Sequence, residues 1–176
     1  QGPEIADHAL GLCLCLTRQI KKAILKNKID RPIELKNKTV LIYGVGGVGS
    51  LIAERIKTFG CKIIAIDKEL KPLNSFIDQI YSPENLKKIL LKSDIIFICS
   101  PLTKETNLVF KKEEFNAMKK KPYLINVARG KIIHTSSLVN ALKSNKLSGV
   151  GLDVTDPEPL NKNHYLNNHE KVIITP

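Results

Sequence analysis

Between Thr39 and Asp67 the chain runs through a fixed order: apolar run, glycine cluster, helical pattern, second apolar run, acid. Thr39-Val40-Leu41-Ile42-Tyr43 is β-branched and aliphatic without polar alternation, the pattern of a strand covered on both faces. Gly44, Gly46 and Gly49 follow at G-x-G-x-x-G spacing, with Gly47 inside the cluster. They open a segment in which Leu51, Ile52, Arg55, Ile56 and Phe59 recur at helical intervals, and Gly60 stops it. Cys61 to Ile66 reads as the next strand, and Asp67 stands at its end.

Each of these residue types has a task. Gly44 permits a tight strand-to-helix turn, Gly46 lets backbone approach a pyrophosphate, and Gly49 lets helix pack closely on strand. The N–H groups from about Gly46 to Val48 would face phosphates with the positive end of the helix dipole behind them. Asp67 lies 18 residues past Gly49, near the roughly 20-residue spacing of a ribose-binding acid. A carboxylate there accepts both ribose hydroxyls and repels a 2′-phosphate, which favours NAD over NADP. The glycine spacing alone describes any glycine-rich turn. The strand, helix, second strand and acid around it select dinucleotide binding.

The remaining chain supports a doubly wound α/β fold. Pro3 and Glu4 suit the first turn of a helix running to about Lys26, and its middle, Ala9 to Leu16, is apolar all round. Such a helix needs cover on two sides: its own sheet, and a second lobe or subunit. Lys68 to Tyr81 reads as irregular with one short strand, and Ser82-Pro83-Glu84 opens a helix ending near Lys92. Further strands are expected at Asp94–Cys99, Tyr123–Val127, Gly149–Leu152 and Val172–Thr175. Helices are expected at Glu113–Met118 and about Ser136–Ser144, the second capped by Thr135 or Ser136. Strands alternating with helices imply about six or seven mostly parallel strands with helices on both faces.

The net charge of +11 raises a nucleic-acid surface as a possibility, yet the lysines are spread over nearly every helix and loop without aromatic interleaving. Solvated faces are the better reading, with no nucleic-acid partner. Cys13, Cys15, Cys61 and Cys99 lie inside apolar runs without metal spacing and read as buried, reduced thiols of a cytoplasmic protein. No stretch has the length of a membrane span. The chain begins with Gln1, which reads as a piece of something longer.

In an open α/β sheet, ligands bind at the carboxyl ends of the strands. Those ends carry Gly44 to Gly49, Asp67, Ser100-Pro101, Arg129 and Asp153. Arg129 is either an anchor for a ligand carboxylate or the ion-pair partner of an acid such as Asp153. Taken alone, Glu158 reads as a solvated loop acid.

Pro101-Leu102-Thr103-Lys104-Glu105-Thr106, Ile125-Asn126-Val127-Ala128-Arg129-Gly130 and Leu152 to Pro159 resemble signatures of the D-isomer-specific 2-hydroxyacid dehydrogenases. Ala6-Asp7-His8-Ala9-Leu10 fits the helix leading into that family's cofactor domain, so the resemblance spans essentially the whole chain. It implies a Rossmann-type NAD-binding domain over 1–176, with 1–30 a lead-in and interface helix and the substrate-binding domain outside this chain. It implies that Gly46 to Val48 hold the pyrophosphate and Asp67 the adenine ribose. Ser100, Pro101 and Thr106 would line the adenosine side, Val127, Ala128 and Arg129 would lie beside the nicotinamide, and Asp153 near its carboxamide. Arg129 would bind the carboxylate and carbonyl oxygen of a small 2-oxo acid. Glu158 would pair with a histidine that the family places immediately after Thr-Pro, a position beyond Thr175-Pro176. No metal is expected. His8, His134, His164 and His169 are not expected to replace that histidine.

The implied activity is NAD-dependent hydride transfer between a 2-oxo acid and a D-2-hydroxy acid, by a homodimer packed through the first helix. These 176 residues alone are expected to bind NADH without turnover. The alternative is an NAD-sensing, corepressor-like binding module. The sequence departs from the family's usual pattern at Gly47, His134 and Thr155.

Overall fold

The apolar runs become strands β1 (Thr39–Tyr43), β2 (Lys62–Ile66), β3 (Gln79–Tyr81), β4 (Ile95–Ile98), β5 (Tyr123–Asn126), β6 (Gly149–Leu152) and β7 (Val172–Ile174) in a computed structural model that describes residues 1–70 and 74–176. They form one seven-stranded sheet in the order β3-β2-β1-β4-β5-β6-β7. Every pairing is parallel, where the sequence suggested mostly parallel. The short strand expected between Lys68 and Tyr81 is β3; the part of that reading on 71–73 lies outside the described residues.

The helices are α1 (Gly2–Thr17), α2 (Ile20–Lys26), α3 (Gly47–Lys57), α4 (Leu86–Leu90), α5 (Lys112–Ala117) and α6 (Thr135–Lys143). Side chains alternate along each strand, so the continuous apolar runs feed two cores. Val40, Ile42, Ile63, Ala65, Ile95, Phe97 and Ile125 join Ala9 and Leu12 of α1 and Ile52 and Ile56 of α3 on one face. Leu41, Tyr43, Ile64, Ile66, Ile96, Ile98 and Leu124 join Ile89 of α4, Phe115 of α5 and Leu138 and Leu142 of α6 on the other. The fold is therefore doubly wound.

The first helix is shorter than its pattern suggests. Instead of running to Lys26, α1 ends at Thr17 and a new helix starts at Ile20. Two local events make the break. The Thr17 hydroxyl donates back to the Cys13 carbonyl (2.9 Å), and Gln19 turns left-handed at φ 56°. Lys21 then donates to the carbonyl of Val172 at 2.7 Å, docking α2 beside the start of β7.

Glycines let α1 lie close on β6. A Cβ at Gly149 would sit 2.9 Å from Tyr123 Cδ1 and 3.1 Å from Leu16 Cδ2, and one at Gly151 would sit 3.2 Å from Leu12 Cβ. The apolar surface expected to need outside cover falls mostly on α2, where Ile24 and Leu25 are 77% and 70% exposed. Leu10 and Leu14 of α1 are half-buried.

The cysteines are free, but only Cys13 and Cys61 are buried; Cys15 and Cys99 are half-buried, a correction to the reading of four buried thiols. Cys15 lines a surface depression with Leu16 and Gln19, and Cys99 stands just past the end of β4, where the residue is partly open although its thiol is covered. Burial pushes the thiols of Cys13 and Cys99 up to about 12 and that of Cys61 to about 11. No helix among the described residues is long and apolar enough to cross a membrane.

Candidate cofactor and catalytic site

The chain leaves β1 toward β2 and β3, then returns to β4 and builds the other way, so the strand order reverses between β1 and β4. A ligand crevice is expected beyond the carboxyl ends of those two strands. Gly44 turns out of β1 at φ +96°, and a Cβ there would lie 2.5 Å from Ser100 N. A Cβ at Gly49 would lie 2.1 Å from the Gly44 carbonyl oxygen. Both positions demand glycine, one for the turn and one for packing.

Gly46 and Gly47 differ. Nothing lies within 4 Å of the Cβ either would carry, and both are exposed. Gly46 is the N-cap of α3, no side chain caps the first turn, and no acid stands in it. The leading N–H groups, Val48's among them, therefore have no intrahelical partner and face open space. Beside this turn the Ser100 hydroxyl is buried and makes no hydrogen bond among the described residues. An uncapped helix start, bare backbone and an orphaned hydroxyl at one switch point fit a dinucleotide: the residues present can take its pyrophosphate and a neighbouring polar group.

Asp67, at the end of β2, is half-buried, with Oδ2 accepting the Val45 N–H (2.7 Å) and Oδ1 that of Glu69 (3.0 Å). After β4 the loop is tied to itself. Thr106 donates its hydroxyl to the Pro101 carbonyl (2.7 Å) and accepts the Thr103 N–H (2.8 Å).

The β5 end is clamped by a residue the sequence reading quoted without a role. Asn126 is fully buried; its Oδ1 accepts the Ala128 N–H and its Nδ2 donates to the Arg129 carbonyl, both at 3.0 Å. Its signal was a lone amide ending an apolar run, which a buried strand accepts only when both ends of the amide are satisfied. Gly130 presses the turn onto the loop after β6, since a Cβ there would lie 2.0 Å from the Thr155 carbonyl oxygen. Val127 and Ala128 are buried, and Arg129 is exposed.

The guanidinium of Arg129 donates to the Ala128 carbonyl at 2.7 Å and has no carboxylate partner among the described residues. The ion pair with Asp153 is not formed. Asp153 instead accepts the Thr175 hydroxyl at 2.9 Å and lies 3.2 Å from His8 Nε2. A depression of about 400 Å³ is lined by Asp153, Glu158, Thr175 and Pro176 among others. Glu158 is exposed on its rim and makes no hydrogen bond or ion pair among the described residues.

Three histidines serve local structure. His134, rather than Thr135 or Ser136, stands at the N-cap position of α6, where its side chain makes no bond to the helix backbone and Nδ1 lies 2.6 Å from the Ser137 hydroxyl. His164 accepts the Leu166 N–H and His169 the Lys171 N–H. His8 is the exception. No sequence spacing signals its approach to Asp153: the packing of α1 on the glycines of β6 brings it there, and the parallel pairing of β6 with β7 sets Thr175 beside Asp153.

Residues 10–176 match the family described as D-isomer specific 2-hydroxyacid dehydrogenase, NAD binding domain. A glyoxylate reductase of Thermofilum pendens is 37% identical over 183 residues, covering 98% of this chain and 54% of that protein. The structure of an NAD-dependent formate dehydrogenase from Staphylococcus aureus in complex with NAD superimposes with a TM-score of 0.89 at 31% identity, covering 99% of this chain and 54% of that one. A probable 2-hydroxyacid dehydrogenase from Rhizobium etli in complex with NADP gives 0.89 at 25% identity, covering 99% and 58%. The chain spans about half the length of the curated relatives it matches.

Proposed function

Because the chain belongs to the D-isomer specific 2-hydroxyacid dehydrogenase family and is its NAD-binding domain, we propose that it is the cofactor half of an oxidoreductase acting on a small 2-oxo or D-2-hydroxy acid. One observation carries this reading beyond cofactor binding. Arg129 is an exposed guanidinium without a carboxylate partner, on a turn that the buried Asn126 holds rigid at the end of β5. A planar fork so placed can grip a substrate carboxylate and polarise the adjacent carbonyl oxygen.

Bound NADH supplies the hydride. The N–H groups from Gly46 to Val48 hold the pyrophosphate, Asp67 accepts the adenine ribose hydroxyls, and Ser100, Pro101 and Thr106 line the adenosine side. Val127 and Ala128 wall the nicotinamide, and Asp153 accepts from its carboxamide. Glu158 pairs with a histidine immediately after Pro176 and raises its pKa, keeping an imidazolium ready to protonate the alkoxide. The opposite wall of the substrate pocket comes from a second domain.

The exposed apolar side chains of α2 and the half-buried Leu10 and Leu14 support a two-fold homodimer. The free thiols support a cytoplasmic setting. Lysines engaged with acids across the surface, such as Lys26 with Glu170 and Lys57 with Asp78, support solvated faces over a nucleic-acid track. The relatives named above are enzymes, and they lend the corepressor-like alternative no support.

The test is reduction of pyruvate and hydroxypyruvate by the complete protein with NADH, the product resolved by handedness. A D-2-hydroxy acid is expected from whichever of the two is reduced, and an L product would refute the reading.

A further inference from the structure

His8 stands near the start of α1, yet its ring meets the carboxyl ends of β6 and β7. Nε2 lies 2.8 Å from the Thr175 hydroxyl oxygen and 3.2 Å from Asp153 Oδ1. Thr175 itself donates to Asp153 Oδ1 at 2.9 Å, which closes a triangle of three polar atoms from three elements. The proton count fixes the roles. A carboxylate only accepts, and the hydroxyl has a single proton, which goes to Asp153. Nε2 must therefore carry a proton and donate into the pair. Both contacts fall on Oδ1, and Oδ2 makes no hydrogen bond among the described residues. The side chain of Asp153 is partly accessible, at 29% exposure, beside the open depression after β6.

We infer that His8 is a positioning residue of the cofactor site: with Thr175 it fixes the Asp153 carboxylate through Oδ1, leaving Oδ2 as an oriented acceptor for the nicotinamide carboxamide. This rests on the proposed cofactor reading, and it adds a residue of the lead-in helix that does not itself touch the ring. Without His8, Asp153 keeps one tether and can rotate, so part of a charge-assisted hydrogen bond to the carboxamide is lost.

The experiment is calorimetric titration of the complete protein with NAD and with ADP-ribose, the same molecule up to the ribose that carries the nicotinamide. His8→Leu should weaken NAD roughly five- to thirtyfold and leave ADP-ribose within about twofold, the scale of part of one charged hydrogen bond. His8→Gln, which retains a donor, should recover most of the loss. Adding His8→Leu to Asp153→Ala should cost nothing beyond Asp153→Ala alone. Equal weakening of NAD and ADP-ribose by His8→Leu would overturn the inference and leave His8 a helix tether. So would an unchanged NAD affinity in His8→Leu beside a clear loss in Asp153→Ala, or an Asp153→Ala variant that binds NAD as the unsubstituted protein does. If that protein bound neither ligand, the cofactor reading would fall and take this inference with it.

Discussion

The Asp67 carboxylate at the end of β2 accepts the backbone N–H of Val45, inside the glycine turn that follows β1, at 2.7 Å. This bond joins the two ends of the dinucleotide motif, the turn proposed to meet phosphates and the acid proposed to meet ribose. Since the Glu69 N–H holds the other carboxylate oxygen at 3.0 Å, Asp67 is preset before any ligand arrives.

A preset negative charge should repel a 2′-phosphate, with Lys68 next door softening the effect. The protein is expected to bind NADH more tightly than NADPH, and Asp67→Ser should narrow the gap by about tenfold. Calorimetry with both cofactors decides this; tighter NADPH binding by the unsubstituted protein would contradict it.

The glycines of the turn should separate into two kinds. Gly49→Ala drives a methyl to 2.1 Å from the Gly44 carbonyl oxygen, so about 1–3 kcal/mol of stability should be lost in denaturant unfolding. Gly46→Ala meets nothing within 4 Å. It should leave the unfolding midpoint nearly unchanged and weaken NADH binding instead, because its methyl occupies the approach of the pyrophosphate. The reverse pattern would count against the assigned roles.

Most strand positions were legible because a sheet buried on both faces writes continuous apolar runs, and G-x-G-x-x-G with Asp67 marks β1 and β2 as the nucleotide-facing pair; the order of the strands was not. What else was not legible depended on single contacts. The helix breaks where the Thr17 hydroxyl turns back to Cys13 and Gln19 turns left-handed, and the Lys21 side chain then holds α2 to the carbonyl of Val172, 151 positions away. The His8–Asp153 contact spans a similar distance in sequence and follows from the packing of α1 on β6. Of the two readings left open for Arg129, the Asp153 ion pair is not formed: the guanidinium donates to the Ala128 carbonyl, and Asp153 meets Thr175 and His8 through Oδ1.

Acid should weaken one link between α3 and the sheet. Burial pushes the Asp78 carboxyl up, but Lys57 at 2.7–2.8 Å and the Ile63 N–H at 2.7 Å outweigh it and hold the group below its ordinary 3.8. A lowered folded value means the contribution is complete above 3.8 and fades as pH falls through the folded value. The pair is partly exposed, so its worth after screening is about 1 kcal/mol or less. Asp78→Asn should lower the unfolding midpoint at neutral pH and match the unsubstituted protein once pH has fallen below the folded value. An equal deficit at both pH values would contradict a charge-based role.

Assembly is tested at α2. With Ile20, Ile24 and Leu25 exposed at 41%, 77% and 70%, the complete protein should sediment as a dimer at micromolar concentrations, and Ile24→Glu should shift it toward monomer. A monomeric unsubstituted protein would remove the interface reading.

The central claim is that Arg129, exposed on the turn that Asn126 clamps at the end of β5, anchors a 2-oxo acid beside NADH. Its most direct test is the rate of NADH oxidation by the complete protein with glyoxylate, pyruvate, hydroxypyruvate and phosphohydroxypyruvate, compared with Arg129→Gln. At least one acid should be turned over, and the substitution should reduce kcat/KM for it about a hundredfold or more while leaving NADH affinity nearly unchanged. No turnover with any acid, or full activity in Arg129→Gln, would contradict the account.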